Sequence, residues 1–231
     1  MLTWLKEIKV FLMEFIRLDG RAEHQAQRSC STCLQGEQGY RCRDCLGGSL
    51  LCQSCVVKFH LYNPFHHVEV RLLSCQTLSY AYQSFLSKVW NGKFFEHVNL
   101  KSLGCRIQLG HSIGGICPLP CTASGDSFTI IDNSGIHDVG LDFCGCGTGG
   151  TMVQQLLHFR LYPATVQNPN TAATFRVLRN FQLLSFESKC SVREYYQTLV
   201  RESDNTGLHK VKVYRKSYAP WFHLIDILGP V

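Results

Sequence analysis

Residues Cys30–His67 read CSTCLQGEQGYRCRDCLGGSLLCQSCVVKFHLYNPFHH. Three Cys-x2-Cys pairs follow one another, Cys30/Cys33, Cys42/Cys45 and Cys52/Cys55, and His60 and His66 come after them. Two residues between a pair of cysteines turn the backbone so that both sulfurs can face one tetrahedral ion. Four such half-sites fill two closed sites, so two Zn2+ ions are expected over 30–66. A disulfide framework is the competing arrangement, but it has no use for histidines closing a run of cysteine pairs, whereas a metal site does. His67 adjoins His66, and the sequence leaves open which of them serves.

The intervals between successive ligands are two, eight, two, six, two, four and five residues. This spacing resembles the B-box, a small cross-braced zinc module. The resemblance implies that alternate pairs share an ion: Cys30, Cys33, Cys52 and Cys55 hold the first, and Cys42, Cys45, His60 and His66 the second. It does not resemble a RING module, whose Cys-x-His-x2-Cys centre is missing, so a ubiquitin-ligase reading is the weaker one.

Working outward, 231 residues accommodate a small metal module and one medium domain. The thirteen cysteines are an odd number. The apolar N-terminal stretch is broken by Lys6, Glu7 and Lys9, so it lacks a signal-peptide core. A reducing compartment with zinc thiolates therefore fits better than an oxidising one. The longest charge-free run, 107–125, carries Gln108, His111, four glycines and two prolines and cannot span a membrane. The net charge of +6 is uneven: residues 150–231 hold ten Lys/Arg against five Asp/Glu. A basic C-terminal third is compatible with a polyanionic partner, and equally with an ordinary solvated surface.

Residues 2–18 have the pattern of an amphipathic helix, with Trp4, Leu5, Ile8, Phe11, Leu12, Phe15 and Ile16 at three- and four-residue spacing. Packing of that stripe on its own domain is expected, rather than on a membrane or a partner. Residues 1–29 form an N-terminal helix and linker, and 30–69 the double zinc module. Residues 70–89, rich in Ser, Leu and Tyr and containing Cys75, carry no motif and read as an inserted loop.

From residue 90 to 150 glycine breaks short strands. Strands are expected over 105–109, 127–131 and 136–144, with Asp132-Asn133-Ser134-Gly135 as a hairpin turn. This segment holds a second ligand set. Cys144 and Cys146, two apart in an extended chain, project to one face. The preferred third site is His111, Cys117, Cys144 and Cys146, with Cys121 and His137 as substitutes. The last third, 151–231, is expected to be helical and basic. A helix is predicted over 170–184, and a second over 191–201 with Ser191 as N-cap and Glu194 completing a capping box. The fold class is α+β: a B-box-like cross-braced zinc module, then a zinc-stapled antiparallel β segment, then a helical part.

The chain also resembles the CxC-type cysteine-cluster domain associated with Kyakuja-Dileera-Zisupton (KDZ) transposases. The phrases that carry the likeness are Phe15 to Arg21 (FIRLDGR), the paired cysteines, Pro64-Phe65-His66, Trp90-Asn91-Gly92, Leu109-Gly110-His111, Gly135-Ile136-His137, Phe143-Cys144-Gly145-Cys146, Tyr162-Pro163-Ala164-Thr165, Thr171 to Phe175 and Ser203 to Gly207. The resemblance implies a zinc-chelating, nuclear accessory module that helps a transposase recognise DNA or chromatin. Transposase subunits are a further possible partner, and neither a membrane nor a small-molecule substrate is implied. Two stretches depart from the family pattern. Val70 to Lys88 separates Pro-Phe-His from Trp-Asn-Gly, as an unspliced intron in a gene model would, and the tail from Tyr218 lacks the family's basic continuation. No catalytic transposase domain follows, which reads as a fragment or degenerate copy.

Nucleic-acid contacts are expected from Arg176, Arg179, Arg193, Arg201, Lys210 and Lys212, directed at phosphates rather than bases. Catalysis is not expected. Transposase chemistry needs three carboxylates around two metal ions. The available Asp132, Asp138 and Asp142 read as surface and turn positions, and four-ligand zinc sites leave no open position for water. A zinc-dependent protein-interaction module and a non-functional transposon remnant are the alternatives.

Overall fold

The computed structural model describes residues 2–19, 29–70, 96–147 and 149–204. The insertion, its Cys75, the Trp90-Asn91-Gly92 turn and the tail with Lys210 and Lys212 lie outside the described residues. The chain divides into two compact units, one of residues 1–60 and 66–103 and the other of 61–65 and 104–231.

Among its described residues the first unit has two helices and three short strands. Helix α1 spans Leu2–Asp19. Strands β1 (Tyr40–Cys42), β2 (Val68–Val70) and β3 (Glu96–Val98) form an antiparallel sheet in that order. Helix α2, Gln53–His60, carries Val56 and His60 on its buried face. The buried aliphatic side chains among this unit's described residues are Leu50, Leu51, Val56, Val68, Val70 and Leu100. Contrary to expectation, the apolar stripe of α1 is not packed away. Trp4 and Phe15 are each 67 % exposed, and Leu5, Ile8, Phe11, Leu12 and Ile16 are exposed too. Trp4 and Phe11 instead lie against each other along the helix, 4.8 Å between ring centres with the planes tilted by 45°, as side chains two turns apart can. No described helix is long and apolar enough to cross a membrane.

The second unit is built on one sheet. Its strands are β4 (Arg106–Gln108), β5 (Pro120–Thr122), β6 (Phe128–Asp132), β7 (Gly135–Cys144), β8 (Leu161–Pro163) and β9 (Thr171–Thr174). The order is β4-β7-β6-β9-β8, and β5 also pairs with β7. The sheet is mixed and not antiparallel as expected, because β4 runs parallel to β7 and β9 parallel to β6. The expected hairpin is present: Asp132 pairs with Gly135 across Asn133 and Ser134.

Side chains alternate across the sheet and so separate two cores. Ile130, Leu141 and Ala172 join Phe128, Phe143 and Leu156 of α3 (Met152–His158) on one side. Ile131 and Ala173 join Val177, Phe181, Tyr195, Tyr196 and Leu199 on the other. These last come from α4 (Phe175–Ser188) and α5 (Val192–Ser203). Helix α5 starts at the predicted capping box of Ser191 and Glu194. The helix predicted over 170–184 starts later. Thr171–Thr174 is strand β9, and the Thr174 side chain caps α4 by accepting from the Val177 N–H. The chain after residue 150 is thus partly strand, and the α+β class stands with that correction.

Asp132 and Asp142 are not the bland surface positions their spacing suggested. Asp132 is fully buried. Its carboxylate accepts from the Thr174 hydroxyl at 2.6 Å, the Ser134 hydroxyl at 2.8 Å and the Arg176 guanidinium. Asp142 is buried under a bidentate contact from Arg106, 2.6 Å on each oxygen. Arg106 holds the Asp142 carboxyl below the usual range, although burial opposes it. Asp138 alone of the three is exposed.

Candidate metal centres

A knuckle and a helix start bring the first quartet together. Gly36 closes the knuckle: its carbonyl accepts from the Cys30 N–H at 2.7 Å, and its own N–H points at the Cys33 sulfur at 3.4 Å. A side chain at Gly36 would collide with Cys52, whose Cβ lies 2.7 Å from the position a Cβ would take. Cys52 and Cys55 stand at the start of α2, where the Cys52 carbonyl accepts from the Val56 N–H. The ligand atoms of Cys30, Cys33, Cys52 and Cys55 lie within 4.8 Å of one another. Cys33 and Cys52 sulfurs are 3.7 Å apart, the edge of a tetrahedron with metal–sulfur bonds of about 2.3 Å.

Cys42, Cys45, His60 and His66 make the second quartet, on the same criterion. The Cys45 sulfur is 3.6 Å from His60 Nε2 and 3.3 Å from His66 Nδ1, and Cys42 is 3.5 Å from His66 Nδ1. A tetrahedral zinc with nitrogen at about 2.0 Å and sulfur at about 2.3 Å needs such separations. His60 Nδ1 lies 2.7 Å from the Val56 carbonyl and donates to it, which leaves Nε2 as the electron-pair donor. The choice between neighbouring histidines falls on His66. His67 is engaged elsewhere: Asp44 accepts from its backbone N–H at 2.6 Å and contacts its Nδ1 at 3.0 Å.

The third quartet, His111, Cys117, Cys144 and Cys146, gathers at the end of β7 and the loops beside it. His111 Nε2 is 3.6 Å from the Cys146 sulfur. Cys144 and Cys146 sulfurs are 2.8 Å apart, well beyond a disulfide bond and nearer than a tetrahedral edge, so an ion would part them by about 1 Å. The two substitutes stay outside. Cys121 is exposed on β5, opposite Phe143. His137 has its Nε2 3.0 Å from the Ser134 hydroxyl and its ring beside Phe65.

Proton affinities inside the quartets are split as crowded thiols require. Burial pushes Cys30 up, but hydrogen bonds from the backbone of Cys33, Cys52 and Thr32 bring it down to about 6. The neighbouring Cys52 sulfur pushes Cys55 up to about 12, with burial adding to the rise. Burial pushes Cys42 up to about 12 as well, and the Cys146 sulfur raises Cys144. One thiolate forms readily and its neighbours then resist. A divalent cation removes that conflict, because its charge stabilises every thiolate around it. Among the described residues no carboxylate joins any of the three groups.

The candidate nucleic-acid residues are placed less evenly. Arg179, Arg193 and Arg201 are exposed on α4 and α5, while the Arg176 guanidinium is committed to Asp132. That commitment depends on a buried carboxylate 44 residues away and has no local signature in the sequence.

The fold and its clusters define a class: an α+β protein with three four-donor cysteine/histidine groups, each able to hold a metal ion. Residues 100–207 match the family model described as the CxC2-like cysteine cluster associated with KDZ transposases. The match takes in the whole third quartet and leaves the first two outside it. No curated protein and no solved structure matches the chain.

Proposed function

We propose that this protein is a zinc-stapled accessory module of a KDZ-type transposase, that it works in the nucleus by gripping DNA or chromatin, and that it catalyses no reaction of its own. The single observation carrying this reading is the match of 100–207 to a transposase-associated family, with the third quartet inside the matched span. Zinc is the ion of choice because its structural sites use the three donor sets found here: four cysteines, two cysteines with two histidines, and three cysteines with one histidine. Four protein donors at each site leave no place for a reacting water, so the ions would supply folding free energy rather than chemistry. For phosphate contact the chain offers Arg179, Arg193 and Arg201 on two helices of its basic C-terminal third.

The test is duplex binding by the zinc-loaded protein at two salt concentrations. Each phosphate contact adds about 0.9 to the slope of log affinity against log salt, so three arginines give a slope near −3. Charge removal at Arg179, Arg193 and Arg201 together should flatten it. A second reading, a protein-interaction module, is favoured by the exposed apolar stripe of α1. Absence of duplex binding at low salt would decide for it.

A further inference from the structure

Gln155 lies on the first turn of α3, yet it is 2 % exposed. Burying an amide costs free energy unless all its polar atoms are matched, and here they are matched to the backbone at the end of β7 and just before α3. Its Oε1 accepts from the Cys144 N–H at 2.8 Å, and its Nε2 donates to the Cys144 carbonyl at 3.1 Å and the Gly150 carbonyl at 3.1 Å. The side-chain amide therefore pairs with both polar groups of Cys144 as a neighbouring strand residue would, at the point where β7 ends and the Cys144-Gly145-Cys146 loop begins.

Two glycines leave room for this clamp. A Cβ on Gly110 would come within 2.5 Å of Cys144 Cβ and 3.3 Å of Gln155 Oε1, and φ there is +75°. A Cβ on Gly149 would meet Gln155 Nε2 at 3.0 Å and Cys144 Cβ at 3.2 Å. Ordinary side chains at either place would displace the amide or the ligand. Helix α3 itself is anchored by a capping box of Thr151 and Gln154 and by the buried Leu156, so the amide rides on a fixed support.

We propose that Gln155 is the positioning residue of the third metal site: it touches no ion, but it fixes the backbone of Cys144 and thereby aims that sulfur at His111, Cys117 and Cys146. This rests on the reading of those four residues as a metal site. Partners of this kind, behind the ligands, typically contribute 10- to 100-fold to metal affinity.

The test replaces the amide with a similar volume that cannot pair, Gln155→Leu, in the full chain. Zinc per chain is counted by native mass spectrometry, stepwise zinc affinity is read by competition with a chromophoric chelator, and cobalt is used to report thiolate coordination. The expected result is a fall of about 10- to 100-fold in affinity for one ion of three, with an altered cobalt–thiolate band. Leu199→Ala is the control: it removes core volume from the cluster on the other face of the sheet, so it should lower the melting temperature without moving that affinity. Equal affinities in wild type and Gln155→Leu would overturn the assignment of Gln155 alone, as would an equal effect of Leu199→Ala. Two ions in the wild type would remove the third site, and the inference with it. Should Gln155→Leu not fold, Gln155→Asn retains an amide one methylene short of reach. The same affinity loss is expected there, and wild-type affinity would overturn the proposal.

Discussion

The two units solve the problem of holding a chain in place by different means. The second has a ten-residue central strand and two apolar clusters, one on each face of its sheet. Among the described residues of the first unit every strand is three residues long and no aromatic side chain is among the buried hydrophobic ones. Yet the first unit has two of the three ligand quartets. A segment that buries so little needs metal or disulfides to fold, whereas a two-faced sheet with helices on both sides does not. Metal should be the scaffold of one unit and a local staple in the other.

The largest effect that contrast predicts is on chelation. Removing metal under reducing conditions withdraws on the order of 10 kcal/mol per structural ion. Amide exchange should then become rapid over 40–42, 53–60 and 68–70 while 128–144 and 175–188 remain protected. Equal loss of protection in both would erase the distinction. A smaller effect is expected from Arg176→Ala, which leaves the fully buried Asp132 carboxylate with two hydroxyls and the Ser134 N–H and no cation. Stranding a buried charge costs about 3 kcal/mol, so the urea midpoint of the second unit should fall and the first unit should be unaffected. Burial pushes the Asp132 carboxyl up while Arg176, Thr174 and Ser134 hold it below the ordinary value. That stabilisation is present above an unfolded pKa of about 3.9 and is lost as the pH drops through the lower folded value; in the variant the loss should begin at higher pH. The smallest effect is Ser191→Ala, which removes the α5 cap and should cost about 1 kcal/mol by thermal melting.

The same contrast explains what could be read in advance. Ligand pairs are local: two intervening residues bring Cys30 to Cys33 or Cys42 to Cys45, and chemistry at that spacing is legible without the fold. Spacing and resemblance point to the quartets over 30–66, strand parity points to Cys144 with Cys146, and the structure brings each of these sets together, with His111 and Cys117 completing the third. What depended on distant partners was not legible. Ala172 and Ala173 have helical propensity, but β9 lies between β6 and β8 with one alanine in each core, where tertiary packing overrides propensity. Parallel pairing of β4 with β7 joins residues far apart in sequence. Asp132 reads as a turn residue in the sequence because its partners Thr174 and Arg176 belong to β9 and α4, more than forty residues on. His66 and His67 are told apart by the fold, which sets His66 Nδ1 against Cys42 and Cys45 and His67 against Asp44.

Counting ions on the intact chain tests the central claim most directly. Native mass spectrometry of protein purified under reducing conditions without added metal should give three zinc ions per chain and thirteen unbridged cysteines. A chain carrying one ion or none, or one whose mass shows cysteines joined to each other, would contradict the account.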